Sequence, residues 1–457
     1  MNQVALDEKI RQGEKSQAVR KKLIERTPES AKVARDGKKS LAQEVVQTVD
    51  LPHPIYIDSA EGPYLNDIDG NQYIDLTGGF GPNVLGNKPD VVEHAIGNQV
   101  EKGWHYGIPT SGQQQLSTLI KEADPSVDKL VICNSGTEAT MYAFRAARAF
   151  SGKKVVALFD GSYHGVSDYA LVKADAKSDR SRPTATTLGN GVPGVVADEL
   201  MLMLPYRDET AFDLIRERKD DLAMVVVEPV QSSNPRLDNQ DFFNQLREVC
   251  TECGVLLMFD EVITGFRIAY GSCKEYYGIE PDLVTYGKAV GGGLPIGVVG
   301  GRKDIMDTFS GADDAPFIFT GGTFSGNPLT MSAGIAAIQY MKDNKDEIYP
   351  YLKAQGDRLG REINQFCKLE NIPAKLMNAA SMFHLVFSSN EINSARDIDS
   401  SLRTVEREFY LHLLGHDVLV PGIHLAFLSW AHSEAVVEKV VNAFQLAFMD
   451  LRHDGLI

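Results

Sequence analysis

The sequence is poor in cysteine, and it predicts no disulfide framework. Five cysteines are spread over 457 residues, far fewer than small disulfide-stabilised folds use. Cys250 and Cys253 form a single C-x-x-C within a predicted helix that ends at Gly254. A structural zinc site needs four ligands, and neither a second cysteine pair nor a nearby histidine completes one. We therefore expect no metal site.

Long apolar runs and positive charge are also scarce. No stretch approaches the roughly 20 apolar residues that span a bilayer, and Met1 to Lys22 are too polar and charged for a secretory signal. With 62 acidic and 46 basic residues, the net charge is −16. That balance disfavours nucleic acid and membrane surfaces as partners, so we expect a cytoplasmic protein that binds neither.

The chain is too long for one small core, and its pattern divides it into three segments. Residues 1–75 combine a polar helical extension with a hairpin, which is predicted by alternation on either side of Asp69-Gly70-Asn71. Residues 76–330 form the predicted large domain. Residues 331–457 form a predicted smaller α/β domain, with strands near Lys375–Ser388 and Val418–Ser429.

The predicted large domain is organised around short, continuous apolar runs that alternate with helical stretches. Seven runs have this character: Leu130–Cys133, Val155–Phe159, Leu200–Leu204, Met224–Val227, Val255–Phe259, Leu283–Tyr286 and Ile296–Val299. Strands buried on both faces have this pattern, and their alternation with helices predicts an α/β fold with a largely parallel sheet. Because ligands bind beyond the carboxyl ends of such strands, functional residues should follow the runs.

Two of the runs end in residues that together indicate pyridoxal phosphate chemistry. Lys288 follows one run, and Asp260 closes another. A lysine forms a Schiff base with the aldehyde of this cofactor, and a carboxylate pairs with its pyridine nitrogen. The Phe259-Asp260-Glu261 sequence also resembles the Walker B strand of ATPases. No G-x-x-x-x-G-K-[ST] accompanies it, which argues against that alternative.

Other strand ends carry further candidate cofactor contacts. Ser135, Gly136 and Thr137 lie in the turn between a predicted strand and a helix predicted over Thr140–Phe150. Backbone N–H groups, hydroxyls and the positive end of a helix dipole at such a turn suit a phosphate. An aromatic side chain between glycines, such as Tyr163 beside His164 in Gly161–Gly165, can lie flat against a ring. Three further candidates are Glu228, Gln231 as a partner for the ring oxygen, and the Gly321–Pro328 loop as a second phosphate contact.

These segments together resemble the class III (ω-type) pyridoxal-phosphate aminotransferases, and within them the glutamate-1-semialdehyde aminomutase branch. The similar stretches are Asn134–Thr140, Gly161–Gly165, Phe259–Arg267, Pro281–Gly301 and Gly322–Pro328. The resemblance implies a fold-type I homodimer with the active site at the subunit interface. It further implies that Val262 packs against the ring opposite Tyr163, and that Thr323 of the other subunit reaches the phosphate.

The sequence departs from the aminomutase pattern where that pattern grips the substrate carboxylate. It has no arginine between Arg35 and Arg145, so the arginine clamp of that branch is missing, and lysine is no equivalent. Phe80 replaces a usual tryptophan, and Asn87 a usual histidine. We therefore expect an aminotransferase that moves an amino group from a donor such as glutamate to a carbonyl acceptor, with Lys288 and Asp260 as catalytic residues.

Three alternatives remain open on the same residues. They are the aminomutase itself, a pyridoxal-phosphate epimerase or decarboxylase, and a protein that binds the cofactor without turnover. The sequence does not name the substrate, and the resemblance locates the residues that select it only by segment. Those segments are Lys38–Gln43, Gly78–Asn83, Tyr106–Pro109, Asp175–Gly194 and Pro421–Leu425.

Overall fold

A computed structural model describes residues 3–42, 53–388, 390–422 and 425–457. The chain forms two compact units. One unit contains Met1–Pro89, Pro350–Ile392 and Asp397–Ile457, and the other contains Asp90–Tyr349 with the tetrapeptide Asn393–Arg396. Both chain termini thus belong to the same unit. The three-segment division predicted from the sequence stays a prediction.

The described residues form sixteen strands and fourteen α-helices. The strands are β1 (Ile57–Glu61), β2 (Tyr64–Asp67), β3 (Gln72–Asp75), β4 (Lys129–Cys133), β5 (Val155–Phe159), β6 (Val172–Ala174), β7 (Ala185–Thr187), β8 (Met201–Leu204), β9 (Leu222–Val227), β10 (Leu256–Glu261), β11 (Leu283–Gly287), β12 (Gly297–Gly301), β13 (Ala374–Ala379), β14 (Met382–Phe387), β15 (Val418–Leu419) and β16 (Ala426–Phe427). The helices are α1 (Gln3–Gln12), α2 (Glu14–Arg26), α3 (Pro28–Gly37), α4 (Asp90–Val100), α5 (Ser111–Ala123), α6 (Gly136–Ser151), α7 (Thr210–Arg218), α8 (Gln240–Cys253), α9 (Ser272–Tyr277), α10 (Lys303–Met306), α11 (Pro328–Asp343), α12 (Lys345–Leu369), α13 (Arg403–Gly415) and α14 (Glu434–His453).

The unit that contains Asp90–Tyr349 is built on a seven-stranded sheet, in the order β4-β12-β11-β10-β9-β5-β8. Each of the seven predicted apolar runs forms one of these strands, which confirms the predicted α/β fold. Strand β12 runs antiparallel to both of its neighbours, and the other adjacent pairs are parallel. The central strands β5, β9, β10 and β11 are buried along their whole length.

Local signals at helix ends fix where the chain enters and leaves this sheet. Helix α6 begins at Gly136, four residues before the predicted start at Thr140, because the Ser135 hydroxyl accepts a hydrogen bond from the Glu138 backbone N–H at 3.2 Å. Helix α11 begins in a similar way, with Asn327 as its cap and Pro328 in its first turn. The short pair β6–β7 was not predicted.

The other unit contains a four-stranded sheet, β1-β2-β3-β15, and a three-stranded sheet, β13-β14-β16. Strands β2 and β3 confirm the predicted hairpin. The polar N-terminal extension is helical as expected, and it packs within this unit. Leu6 and Ile10 of α1 join a core that includes Phe409 of α13 and Phe448 of α14. Arg20 of α2 donates two hydrogen bonds to the carboxylate of Glu408.

Cys250 and Cys253 both lie on α8 and are free thiols. No helix within the described ranges is long and apolar enough to cross a membrane.

Candidate active site

The predicted site residues come together at one edge of the seven-stranded sheet. Strands β4, β11, β10, β9 and β5 all run in the same direction, so their carboxyl ends meet at that edge. The residues that follow them are Ser135, Gly136 and Thr137 after β4, Lys288 after β11, Asp260 and Val262 at and beyond the end of β10, Glu228 and Gln231 after β9, and Tyr163 and His164 after β5.

Asp260 and His164 form a buried pair at the centre of this edge. His164 Nδ1 lies 2.6 Å from Asp260 Oδ2, and the two residues are only 2% and 5% exposed. Thr285 Oγ1 donates to Asp260 Oδ1 at 2.8 Å. Burial disfavours the charged imidazole, but the hydrogen bond and charge of Asp260 outweigh it and raise the pKa of His164. The pair therefore favours a protonated ring beside a carboxylate.

Lys288 begins the turn that follows β11 and has a left-handed backbone conformation, with φ of 47°. This conformation is unfavourable for a residue with a side chain, and such strain is concentrated at functional sites. The pKa of the Lys288 amine is lowered to about 8, chiefly by burial and in part by the charge of Arg267, while the charges of Glu228 and Asp260 oppose the shift. A larger fraction of the amine is therefore neutral, and nucleophilic, near physiological pH.

Glu228 holds the backbone of the turn that carries Tyr163. Its Oε2 accepts a hydrogen bond from the Tyr163 N–H at 3.1 Å and another from the Ser232 hydroxyl at 3.3 Å. Burial raises the pKa of Glu228 to about 7, and the Asp260 charge adds to this increase against the opposing effect of His164. Tyr163 is 54% exposed, so a face of its ring is accessible to a ligand.

Gln231 contacts the turn after β5 through its amide nitrogen. Its Nε2 donates to the Asp160 carbonyl at 2.7 Å. Its Oε1 is buried and has no hydrogen-bond partner within the described part of the chain. The amide nitrogen of Gln231 is thus engaged with the protein, and the role of Gln231 as a partner for the ring oxygen stays a prediction.

The start of α6 forms a narrow cradle against the turn after β10. A Cβ atom on Gly136 would lie only 2.7 Å from Val262 Cγ1, so no larger residue fits without displacing Val262. The Thr137 hydroxyl accepts a hydrogen bond from the Val166 N–H at 3.2 Å. The first-turn N–H groups of a helix have no intrahelical acceptors, and they face the same end of the helix. An anionic group suits this position.

Thr323 lies in an exposed loop before α11. Two residues later, Ser325 Oγ accepts a hydrogen bond from Asn134 Nδ2 at 3.1 Å. Of the segments expected to select the substrate, Tyr106–Pro109 and Asp175–Gly194 belong to the unit that holds the site. Lys38–Gln43, Gly78–Asn83 and Pro421–Leu425 belong to the other unit, and residues 43, 423 and 424 lie outside the described ranges.

Two buried polar residues, one on β11 and one at the end of β10, were missed in the sequence. Thr285 pairs with Asp260 across the β10–β11 ladder and orients its carboxylate. Glu261 is fully buried and accepts hydrogen bonds from the Thr264 hydroxyl at 2.7 Å and the Cys273 N–H at 3.0 Å. Both could have been noticed in the sequence as a threonine within an apolar run and an acid at the end of a buried strand. Buried polar groups need hydrogen-bond partners, so such positions indicate specific contacts.

The arrangement fits pyridoxal 5′-phosphate in the chemistry of its donors. The α6 cradle suits a phosphate, the lysine amine suits an aldehyde, and the buried carboxylate suits a protonated pyridine nitrogen. His164 Nε2 is also buried without a hydrogen-bond partner among the described residues. A buried polar atom of this kind indicates a site that is completed by something other than these side chains.

Comparisons with known proteins identify the family. The family model of class-III aminotransferases matches residues 45–398. A glutamate-1-semialdehyde 2,1-aminomutase of Methanosarcina acetivorans is 40% identical over 407 residues, which cover 86% of this chain and 91% of that protein. The enzyme of the same name from Archaeoglobus fulgidus is 38% identical over 400 residues, with coverage of 86% and 92%.

Solved structures show the same fold. An omega-transaminase from Sphaerobacter thermophilus superposes with a TM-score of 0.87 at 29% identity, covering 93% of this chain and 98% of that one. A glutamate-1-semialdehyde aminomutase from Pseudomonas aeruginosa PAO1 superposes with a TM-score of 0.84 at 21% identity, covering 98% of both chains. The chain therefore belongs to the class-III aminotransferase family, the fold-type I enzymes whose cofactor is pyridoxal 5′-phosphate.

Proposed function

We propose that this protein is an aminomutase of the glutamate-1-semialdehyde 2,1-type, which exchanges the amino and oxo groups on adjacent carbons of one substrate. The observation that carries this proposal is the run of relatives with that name, at 36–40% identity over 86–88% of this chain. These relatives favour the aminomutase. The departures of the sequence from the aminomutase pattern had instead favoured an intermolecular transaminase.

Lys288 supplies the nucleophilic amine and the mobile proton of the proposed reaction. Bound pyridoxal phosphate supplies a covalent linkage to amines and an electron sink for negative charge at the substrate carbon. The pKa of Lys288 is lowered to about 8, so its amine can accept a proton from one carbon and return it to another near neutral pH.

Asp260 and His164 provide the fixed charge of the proposed site. The Asp260 carboxylate is oriented by the Thr285 hydroxyl at 2.8 Å and by His164 at 2.6 Å. We assign it to the ring nitrogen, where an oriented carboxylate holds a proton in place. The donors are already aligned in the folded chain, which reduces the reorganisation needed during reaction.

The remaining residues bind and orient. Ser135, Gly136 and Thr137 are assigned to the phosphate at the start of α6, where the N–H groups and the helix dipole favour an anion. Tyr163 and Val262 are assigned to opposite faces of the ring. Tyr163 has the exposed aromatic surface that stacking needs, and Val262 is held against Gly136.

We further propose a homodimer in which Thr323 of one subunit completes the site of the other. An exposed apolar surface, which we call the aromatic patch, supports the proposed dimer. It consists of five side chains that are each at least 59% exposed: Trp104, Ile108, Phe317, Phe319 and Phe324. His105 and Phe324 join its two segments, with ring centroids 5.0 Å apart. Exposed apolar surface of this kind marks protein interfaces, and Thr323 lies beside Phe324.

An intermolecular transaminase is the second candidate, and one observation favours it. The chain has no arginine between Arg35 and Arg145, where the aminomutase branch carries its carboxylate clamp. A β-phenylalanine aminotransferase from Variovorax paradoxus is also 27% identical to this chain, with a TM-score of 0.85. In this alternative the amino group is removed from one substrate, which is released as its oxo product, and is then transferred to the carbonyl carbon of a second substrate.

A single-substrate experiment separates the two candidates. Enzyme loaded with pyridoxal phosphate is given glutamate-1-semialdehyde alone, and products are identified by mass spectrometry. We expect 5-amino-4-oxopentanoate, the isomer in which amino and oxo groups have changed places, and no product with Lys288→Ala. If that isomer does not form, but an added amino acid is converted to its oxo acid, the transaminase is correct. Turnover of neither substrate contradicts both proposals.

A further inference from the structure

The turn that carries Tyr163 is held by side chains from several distant segments. It begins at Asp160, directly after β5, and Gly161 follows with a left-handed φ of 84°. Gln231 Nε2 donates to the Asp160 carbonyl at 2.7 Å, and Ser233 Oγ donates to the Gly161 carbonyl at 2.8 Å. The segment after β9 therefore secures both carbonyls, which leaves the Asp160 carboxylate for another partner.

That partner is Arg396, which lies 236 positions further along the chain. Arg396 Nε donates to Asp160 Oδ2, and the two side chains are only 16% and 17% exposed. The same guanidinium binds the start of the 175–194 loop. Its Nη1 donates to the Ser178 carbonyl at 3.2 Å, and its Nη2 reaches the Asp175 carbonyl at 3.4 Å and Ser178 Oγ at 3.3 Å.

Arg396 belongs to a tetrapeptide, Asn393–Arg396, that folds with the site-bearing unit although its flanking residues belong to the other unit. Its contacts extend beyond the arginine. Asn234 Nδ2 donates to the Asn393 carbonyl at 3.1 Å. A Cβ atom on Gly161 would lie 2.4 Å from Ala395 Cβ, so the tetrapeptide approaches the turn as closely as a glycine allows.

We propose that Arg396 is a positioning residue that fixes the Asp160–Tyr163 turn and the start of the 175–194 loop as one rigid unit, and so sets the placement of Tyr163 over the cofactor. This inference rests on the proposed function, in which Tyr163 stacks on the ring. A single planar guanidinium suits this task, since it offers five N–H donors in a fixed fork.

The contacts also argue against a direct substrate role for Arg396. Its Nε, Nη1 and Nη2 atoms together donate to four acceptors of the protein, which engages four of the five N–H groups that arginine has. A substrate carboxylate bound bidentately needs two N–H groups, so at least one of these contacts would have to be released. Arg396 therefore does not replace the arginine clamp that the sequence lacks.

The test compares Arg396→Met with Arg396→Lys and a matched control, Arg182→Met. Arg182 lies in the same loop, and its guanidinium donates to both carboxylate oxygens of Glu217 rather than to the Asp160 turn, with both side chains about half exposed. For each protein the Kd of pyridoxal phosphate and the visible circular dichroism of the bound cofactor are measured, because dichroism reports ring placement independently of folding.

We expect Arg396→Met to bind the cofactor about tenfold more weakly, with a reduced dichroic band, and Arg182→Met to match the wild type. The affinity and dichroic band of Arg396→Lys should lie between those of the two other variants, because lysine keeps the positive charge but lacks the planar guanidinium with its several N–H donors. In a double-mutant cycle, Arg396→Met should add little to the effect of Asp160→Asn.

The inference is wrong if Arg396→Met and Arg182→Met bind the cofactor with wild-type affinity and dichroism, or if the Asp160 and Arg396 effects are additive. If Arg396→Met does not fold, the same comparison with Arg396→Lys decides. Both readouts are independent of turnover. A wild-type protein that binds the cofactor but converts neither substrate therefore contradicts the proposed function without affecting this comparison.

Discussion

His164 Nδ1 and Asp260 Oδ2 lie 2.6 Å apart, although the strands that precede them are not neighbours in the sheet. His164 follows β5 and Asp260 lies on β10, and β9 runs between these two strands. The imidazole therefore spans the end of β9. The two charged groups of this buried pair come from residues that are 96 positions apart in the sequence.

Asp260→Asn should reduce turnover by at least about a hundredfold, the order found when a preorganised electrostatic partner is removed. His164→Gln should cost less, because an amide N–H can still donate to Asp260. Steady-state kcat and KM of the purified variants check this order. Equal losses in both variants would contradict the assignment of the ring nitrogen to Asp260.

The uptake of pyridoxal phosphate by the apoprotein should accelerate as pH rises and level off above about 8. The neutral amine is the reactive form of Lys288, and its pKa is lowered to about 8 mainly by burial. The midpoint of this pH dependence is measured by stopped-flow absorbance from about pH 6 to about pH 10, roughly two units on either side of the expected value. A midpoint near the ordinary lysine pKa would show that the amine is not desolvated.

Glu228→Gln should move this midpoint to lower pH. The Glu228 carboxylate raises the pKa of Lys288, so its removal leaves the effect of burial less opposed, while the amide oxygen can still accept the Tyr163 N–H. Glu217→Gln is the matched control, because Glu217 pairs with Arg182 at the surface. An upward shift in Glu228→Gln would contradict the predicted sign.

Glu261→Gln should destabilise the protein by about 1–3 kcal/mol, the usual cost of leaving a buried hydrogen-bonding group without a partner. Its two carboxylate oxygens accept hydrogen bonds from Thr264, Cys273 and Lys274, and an amide nitrogen cannot accept. Urea denaturation measures the change. Exposed Glu252, changed to Gln, is the control. Equal stability of the two variants would exclude an anchoring role for Glu261.

A hybrid dimer that contains one Lys288→Ala subunit and one Thr323→Ala subunit should bind pyridoxal phosphate with wild-type affinity at one of its two sites. If Thr323 acts across the interface, one site receives both substitutions and the other receives neither. If Thr323 acts within its own subunit, each site carries one substitution. Hybrids purified with two different affinity tags and titrated with pyridoxal phosphate distinguish these arrangements, and the absence of any wild-type site would contradict the placement of Thr323 across the interface.

Much of the fold was already determined by local sequence patterns. Short apolar runs predicted all seven strands of the large sheet, because a strand buried on both faces needs no polar positions. The hairpin around Gly70 followed from alternation and turn residues. The rule that ligands bind beyond strand ends then predicted that residues such as Lys288 and Asp260 would gather at one edge.

Only the tertiary structure decided which distant residues meet. The antiparallel insertion of β12 between β4 and β11, the link from His164 to Asp260 and the contact of Arg396 with Asp160 leave no periodic trace in the sequence. Strand order depends on crossover connections and packing across the sheet, and a hydrogen bond between distant segments depends on that order. Periodicity is a property of neighbouring residues, so it identifies the elements of this protein but not their partners.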